Sequence, residues 1–386
     1  MDIAIVGIGI HPFGRHEGVS GAQMGAHAVR EALRDAGAAW PDVQFAAGGS
    51  LAYALPGGGA MPDTLVNELG LTGLPFVNVA NGCATSATAV LSAANAILAG
   101  AADLAVAVGF DKHQRGHFNA EPETNGVDDW YGELGMMITT QFFAMKINRY
   151  LHEHGIGHDI LAKVAAKAFR NGALNPNAWR RQALSEEEIV GARMLNYPLT
   201  QYMFCSPDEG AAALVLCRAD QAHRYTDRPV YLRAVTLRTR KFGTFEVFSP
   251  WVALEEADTP VREASRACFE AAGLGPEDID LAQIQDSESG AEIMHMAENG
   301  LCKDGEQEAL IREGATEIGG RLPVNTDGGL LANGEPIGAS GMRQFYETVL
   351  QLRGDAGPRQ VPGNPRVGYT QVYGAPGVGA CALLTT

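Results

Sequence analysis

The stretch A-V-R-E-A-L-R-D-A-G-A-A-W-P-D-V-Q-F-A, residues 28–46, comes back as A-S-R-A-C-F-E-A-A-G-L-G-P-E-D-I-D-L-A at residues 264–282. The two align without a gap at an offset of 236 (264 − 28), and they share Ala, Gly, Pro/Glu, Asp and β-branched positions. Each reads as an amphipathic helix that stops at a glycine suited to a left-handed cap, then a turn, then a buried strand. Two such units in one chain point to an internal duplication.

The flanking sequence agrees. Residues 76–80 read as a strand, 83–100 as a long helix of small residues, and 104–108 as a buried strand. In the second half, 338–352 reads as a helix, with strands at 367–373 and 379–384. Strands alternating with helices predict α/β layering with mixed, mostly parallel sheets. The helix after Cys83 carries almost no charge, which predicts burial on all sides in a middle layer. Residues of about 115–195 are richer in Arg, Lys, His, Asn and aromatics and read as an inserted, partly helical subdomain. A core-like strand, E-G-A-A-A-L-V-L-C, follows at 209–217. The expected organisation is an N-terminal half of residues 1–115 plus 195–225, an insertion at 116–194 and a C-terminal half at 226–386.

Bulk composition narrows the function. The 386 residues are 46% hydrophobic and 19% charged, enough for a large core. The 45 acidic against 29 basic residues give a formal charge of −16. That speaks against nucleic acid or an anionic membrane surface as partner, and an anionic ligand needs a local basic patch. Six cysteines without metal-type spacing read as free thiols in a reducing compartment, with no metal site expected. The start, M-D-I-A-I-V-G-I-G, reads as a strand and not as a signal peptide, and no stretch reaches 18 apolar residues. A cytoplasmic location is expected.

Four segments are candidates for chemistry. In N-G-C-A-T-S-A, Cys83 follows a strand and opens a helix, where amide groups and the helix dipole favour thiolate. The preceding glycine permits a sharp turn that exposes the side chain. The alternative is a packing cysteine, and Cys205, Cys217, Cys268, Cys302 and Cys381 are read that way. In N-T-D-G-G-L-L-A-N-G-E-P-I-G-A-S-G, residues 325–341, five glycines cost chain entropy. Either backbone approaches a ligand there, with Gly338, Ala339 and Ser340 presenting amides at a helix start, or layers pack tightly. Q-D-S-E-S at 285–289 and Y-G-A-P-G-V-G-A at 373–380 end strands, the usual place for ligands in α/β sheets.

Together these motifs resemble the thiolase superfamily, most closely its sterol-carrier-protein type, over nearly the whole chain. Cys83 matches the acylated cysteine. Residues 197–216 look like the S-D-G-A-A-A strand, and 325–341 look like N-x-x-G-G…G-H-P-x-G-A-T-G. The resemblance implies a duplicated five-layer αβαβα body, an inserted loop domain holding coenzyme A, and a homodimer. Coenzyme A enters as a thioester substrate, with no cofactor bound permanently.

Three positions depart from the family pattern. Its G-H-P histidine is Glu335, its H-D-C-F or N-E-A-F motif begins with Gln285 and Asp286, and its C-terminal cysteine is Tyr373. Gln285 retains an N–H for a carbonyl oxygen. An anionic Glu335 beside Cys83 raises the thiol's pKa, opposite to imidazolium. Tyr373 suits acid/base work on an alkoxide. Three readings follow. The first is a thiolase-type acyltransferase working through acyl-Cys83 in lipid metabolism. The second is a retro-aldolase on β-hydroxyacyl-CoA, like the aldolases of steroid side-chain breakdown that work with a small zinc-ribbon/OB-fold partner. The third is a non-catalytic acyl-CoA or lipid-binding relative. Candidate substrate contacts are Asp286, Gly338, Ala339, Ser340, Gly377, Arg170 and Lys241, with Lys163, Lys167, Arg180, Arg181, Arg238 and Arg240 as further phosphate candidates. His113, His117 and His295 read as surface or packing residues.

Overall fold

The computed structural model describes residues 2–52, 60–114, 128–242, 244, 257–375 and 377–386. The first half contributes β1 (Ile3–Gly14), α1 (Gly21–Asp35), β2 (Phe45–Gly49), β3 (Phe76–Val79), α2 (Thr85–Leu98) and β4 (Leu104–Lys112). After the inserted helices α3 (Thr139–His154) and α4 (Asp159–Ala173) it closes with β5 (Glu209–Arg218). The second half contributes β6 (Val230–Thr239), α5 (Pro260–Ala272), β7 (Leu281–Gln283), α6 (Ser289–Glu298), α7 (Gly329–Asn333), α8 (Ile337–Arg353), β8 (Val367–Gly374) and β9 (Val378–Thr385).

The duplication is real. Ser20 caps α1 with a capping box and Thr259 caps α5, while Gly37 (φ 60°) and Gly273 (φ 68°) turn the chain out of the two helices. Both then pass a short 3-10 turn, Trp40–Asp42 and Pro276–Asp278, into β2 and β7. Even the register repeats: Ala46 pairs in parallel with Phe76, and Ala282, its equivalent, bridges in parallel to Val324.

Among the described residues nine strands form one sheet in the order β3-β2-β4-β5-β1-β6-β9-β8-β7. The run β2-β4-β5-β1 is mirrored by β7-β8-β9-β6, and the halves join where Ile3, Ala4 and Ile5 pair antiparallel with Leu232, Tyr231 and Val230. The expectation of mostly parallel pairing is corrected. Only β2–β3, β2–β4 and β7–β8 run parallel, and the other five neighbour pairs are antiparallel. The cause is that β5 and β9 each return beside a strand of their own half; β9 does so through the tight turn after β8.

Alternation within strands sorts the layers. Ile3 and Ile5 face a middle core with Val90 of α2 and Phe345 and Val349 of α8, while Ala4 and Val6 face α1. In β9, Val378, Ala380 and Ala382 point to that middle core, and Cys381 and Leu383 point to the outer helices. The order is α1, half-sheet, α2 with α8, half-sheet, and α5 with α6, which gives five layers. Helix α2 is buried along most of its length but exposes Asn95 and Leu98 at its far end, so the expected burial on all sides is corrected. The described part of the insertion has no core of its own: Phe142, Ile147 and Phe169 share one cluster with Ile293, Met296 and Leu330 of the C-terminal half. No helix among the described residues is long and apolar enough to cross a membrane.

Candidate active site

The end of β3 and the start of α2 present Cys83. Gly82 sits at φ 53°, and a Cβ there would lie 2.6 Å from the Ala375 carbonyl oxygen, so only glycine fits the turn. The Thr85 hydroxyl donates to the Gly82 carbonyl (2.6 Å) and accepts from the Asn81 N–H (2.7 Å), locking the loop. Cys83 keeps part of its surface open. Burial at the thiol end, then the charge of the nearby Glu335 carboxylate, push the thiol well above its ordinary range, and the Ala375 backbone pulls the other way. The helix-start argument for a resting thiolate is therefore overruled by burial and then by the local charge.

Glu335 is the hub. It is 3% exposed, its Oε1 accepts from Gln285 Nε2 (3.1 Å), and its Oε2 accepts from the Cys205 thiol (3.0 Å). Its own N–H donates to the Ser206 carbonyl (2.9 Å). Two thiols thus share one buried carboxylate, and burial followed by that carboxylate raises the Cys205 thiol as well. Sequence reasoning missed Cys205 by placing it in an apolar element. It lies in the C-S-P-D loop before β5, and its proximity to the S-D-G-A-A-A-like motif was the available signal. Gln285 also needs correction. Its amide N–H is committed to Glu335 and to the Ser287 hydroxyl (3.2 Å), so it orients the carboxylate and does not face an open carbonyl site.

The amides expected at the start of α8 are occupied. Gly338 N–H donates to Asp111 Oδ2 (2.5 Å), Ile337 N–H to His113 Nε2 (3.1 Å), and the Ala339 and Ser340 N–H groups to the Pro336 carbonyl (2.7 and 2.9 Å). Gly338, Ala339 and Ser340 are buried, and a Cβ on Gly338 would come within 2.8 Å of the Gly49 and Phe110 carbonyl oxygens. The tight-layer reading of these glycines holds here, not the ligand reading. Burial would raise the Asp111 carboxyl, but His113, the Ser50 hydroxyl and the Ala52 amide more than offset it and hold it below the ordinary range. His113, expected at the surface or in packing, is a buried anchor of this helix start.

Asp286 is likewise not a substrate contact. It is fully buried, with Oδ1 and Oδ2 accepting from Leu330 N–H (2.7 Å) and Leu331 N–H (3.4 Å) at the start of α7. Tyr373 is buried, with Lys146 Nζ 4.6 Å from its ring centroid and the His295 ring centroid 6.0 Å away. Gly377 belongs to the β8–β9 turn, donating to the Gly374 carbonyl and accepting from Arg240 N–H. The basic candidates are mostly paired: Arg170 with Glu317 (2.7 Å), Lys241 with Glu263 (3.1 Å), Lys163 with Glu186 (3.0 Å), and buried Lys167 with Glu292. Arg180 is spent on the Ser206 hydroxyl and Leu331 carbonyl. Arg181 reaches the Pro176 carbonyl at 3.4 Å and Arg238 the Leu237 carbonyl at 2.9 Å. His117 lies outside the described residues.

Known proteins share this architecture. The model described as Thiolase, N-terminal domain, matches residues 3–193, and the model described as Thiolase C-terminal domain-like matches residues 253–385. An Acetyl-CoA acetyltransferase of Methanothermobacter thermautotrophicus is 33% identical over 97% of both chains. Sterol carrier protein 2 of Oryctolagus cuniculus is 31% identical over 94% of this chain and 68% of its own length. Benzoylsuccinyl-CoA thiolase subunit BbsB of Thauera aromatica is 30% identical over 100% of this chain and 96% of its own. Among solved structures, an Ltp2-ChsH2(DUF35) aldolase superposes with a TM-score of 0.87 at 25% identity, covering 100% of this chain and 98% of that one. A monomeric SCP2-thiolase like protein of Mycobacterium smegmatis, with a TM-score of 0.71 at 18% identity, covers 100% of this chain and 77% of that one and shares the fold. With its duplicated halves, its cysteine turn and a matched relative over almost its full length, the chain belongs to the thiolase family of acyl-CoA acyltransferases.

Proposed function

We propose that the protein makes or breaks carbon–carbon bonds in acyl-CoA thioesters of lipid metabolism through an acyl-Cys83 intermediate, with Glu335 as the base. The observation that carries this reading is the buried Glu335 carboxylate, held by the Cys205 thiol (3.0 Å) and the Gln285 amide (3.1 Å), whose charge acts on the Cys83 thiol. As the Cys83 sulfur bonds to the thioester carbonyl carbon, its proton passes to Glu335. The carbon–sulfur bond to coenzyme A then breaks, and the departing thiolate takes that proton. A free thiol and a free carboxylic acid differ by about 4 pKa units, or ~6 kcal/mol, and the raised Cys83 thiol widens that gap, so the transfer must accompany attack rather than precede it. Gln285 and Cys205 hold the carboxylate from the far side. Coenzyme A is the substrate carrier and no cofactor resides permanently. A homodimer through β3, an edge strand among the described residues, where Val77 is exposed, completes the reading. Mass spectrometry after mixing with acyl-CoA tests it: an acyl adduct on Cys83 is expected, lost in Cys83→Ala. No adduct with any chain length from acetyl upward rejects it.

A second reading has its own support. The protonated resting thiol, together with the likeness to an aldolase solved with a DUF35 partner, favours retro-aldol cleavage of β-hydroxyacyl-CoA, steroid side chains included, assisted by a zinc-ribbon/OB-fold partner. In that reading Cys83→Ala retains turnover and Tyr373→Phe loses it.

A further inference from the structure

A cavity of about 680 Å³ lies between α3, the start of α5 and the last turns of α6. Two of its cations are already spent, since Arg149 pairs with Glu153 and Arg262 with Asp304 (2.9 Å). Lys146 lines the same cavity and makes no ion pair among the described residues; its Nζ lies 4.6 Å from the centre of the Tyr373 ring. Tyr373 is buried, and the next residue of β8 rests on the reactive turn. A Cβ on Gly374 would come within 3.0 Å of the Cys83 backbone nitrogen.

Each element packed around Tyr373 brings titratable groups. From α6 comes His295, its ring centroid 6.0 Å away, with Glu298 Oε2 at 2.6 Å from His295 Nδ1. Burial would raise the Glu298 carboxyl, but the bond to His295 and the charges of His295 and Lys146 hold it below its ordinary range. A cation on that ring is thus matched by an anion, and the pair leaves little net field. At the start of α6, burial lifts the Glu288 carboxyl to about 8, so it is mostly neutral near neutral pH. From α5, β8 and β9, Cys268, Tyr369 and Cys381 share a buried cluster with Tyr373, and burial pushes all three up, so they carry no charge. What remains is the Lys146 ammonium.

We propose that Lys146 is a positioning residue whose charge stabilises the Tyr373 phenolate and so makes Tyr373 the base of carbon–carbon cleavage. This rests on the retro-aldol reading above. The phenolate oxygen takes the proton of the substrate's β-hydroxyl. The electron pair of that O–H bond becomes the new carbonyl π bond, and the Cα–Cβ pair moves onto the thioester as an enolate. Tyr373 then returns its proton to the α-carbon, and the step balances without a further reactant.

The test places a difluorotyrosine at position 373 of the full chain and reads its ionisation by fluorine NMR, alone and combined with Lys146→Met or Lys146→Arg. Methionine packs well on an aromatic ring, and the cavity leaves room for arginine. A charge within ~4–6 Å shifts a titration by about 1–3 units, and Lys146 is half-buried, so the midpoint should rise by about 1–2 pH units in Lys146→Met and stay near the wild type in Lys146→Arg. With an unmodified Tyr373, the acid limb of the kcat profile on a β-hydroxyacyl-CoA should move up equally, a roughly 10–100-fold loss below the midpoint, with KM changed less than about twofold. An unmoved midpoint, or an arginine variant that shifts as far as methionine, would reduce the contact to packing and overturn the proposal. So would a loss confined to KM. A midpoint that follows the charge at position 146 in a protein that releases no carbonyl product sinks the retro-aldol reading instead and leaves the electrostatic role of Lys146 standing.

Discussion

Replacing Glu335 by glutamine separates the nucleophile from its base. The side chain keeps its shape, and the amide oxygen still accepts from the Cys205 thiol, but the negative charge that acts on Cys83 is gone. Two like charges about 4 Å apart at an effective dielectric of 20 repel by ~4 kcal/mol, or about 3 pH units at 1.36 kcal/mol per unit. Relaxation of the surroundings trims this to the 1–3 units usual for a neighbouring charge. Burial, the larger cause of the raised thiol, stays in place. The pH midpoint for alkylation of Cys83 by iodoacetamide, followed by mass spectrometry of its peptide, should therefore fall by about 1–3 units. Acyl transfer should drop about 10²–10⁴-fold, because the general base is lost. A sulfur that becomes more reactive while turnover collapses is a signature that unfolding cannot imitate. A midpoint that stays in place or moves upward would refute the coupling.

Two other substitutions probe the scaffold. Gly82→Ala forces a Cβ to within 2.6 Å of the Ala375 oxygen at a positive φ, so urea unfolding should show a loss of roughly 2–5 kcal/mol, and full stability would contradict the turn described here. Glu288 caps α6 and burial pushes its carboxyl up to about 8, above ~4.3 for an unfolded glutamate. Its contribution is present below about pH 4 and lost as pH rises to about 8. The stability of Glu288→Gln relative to the wild type should thus climb with pH by up to about 5 kcal/mol between pH 4 and 8, and a pH-independent difference would exclude the shift.

What was legible in the sequence was local or periodic. The helix-glycine-turn-strand unit of residues 28–46 repeats its chemistry at 264–282, and each device, from cap to positive φ, acts within a few residues of its own position. The Cys83 turn is of the same kind. What stayed hidden joins residues far apart in the chain. Asp111 and His113 lie more than 200 residues from the α8 amides they occupy, so nothing in G-A-S-G itself reveals that those donors are spent. Cys205 and Glu335 are 130 residues apart. Parallel pairing was overestimated for the same reason, because the alternation of strand and helix fixes the layers but not which strand each newcomer lies beside.

The departures from the family pattern are not independent losses. A carboxylate buried at 3% exposure is costly unless donors surround it. Here the glutamine at position 285, itself one of the departures, donates to one oxygen, and the thiol at position 205 donates to the other. The Gln285 backbone is in turn held by Gln371 Oε1 (3.0 Å) on β8, the strand that carries Tyr373. Random decay of an idle site would leave a buried charge without donors, or replace it by something apolar. A glutamate that arrives with its own amide and thiol partners, close enough for its charge to act on Cys83, fits the proposed reading of a site rebuilt around a different base.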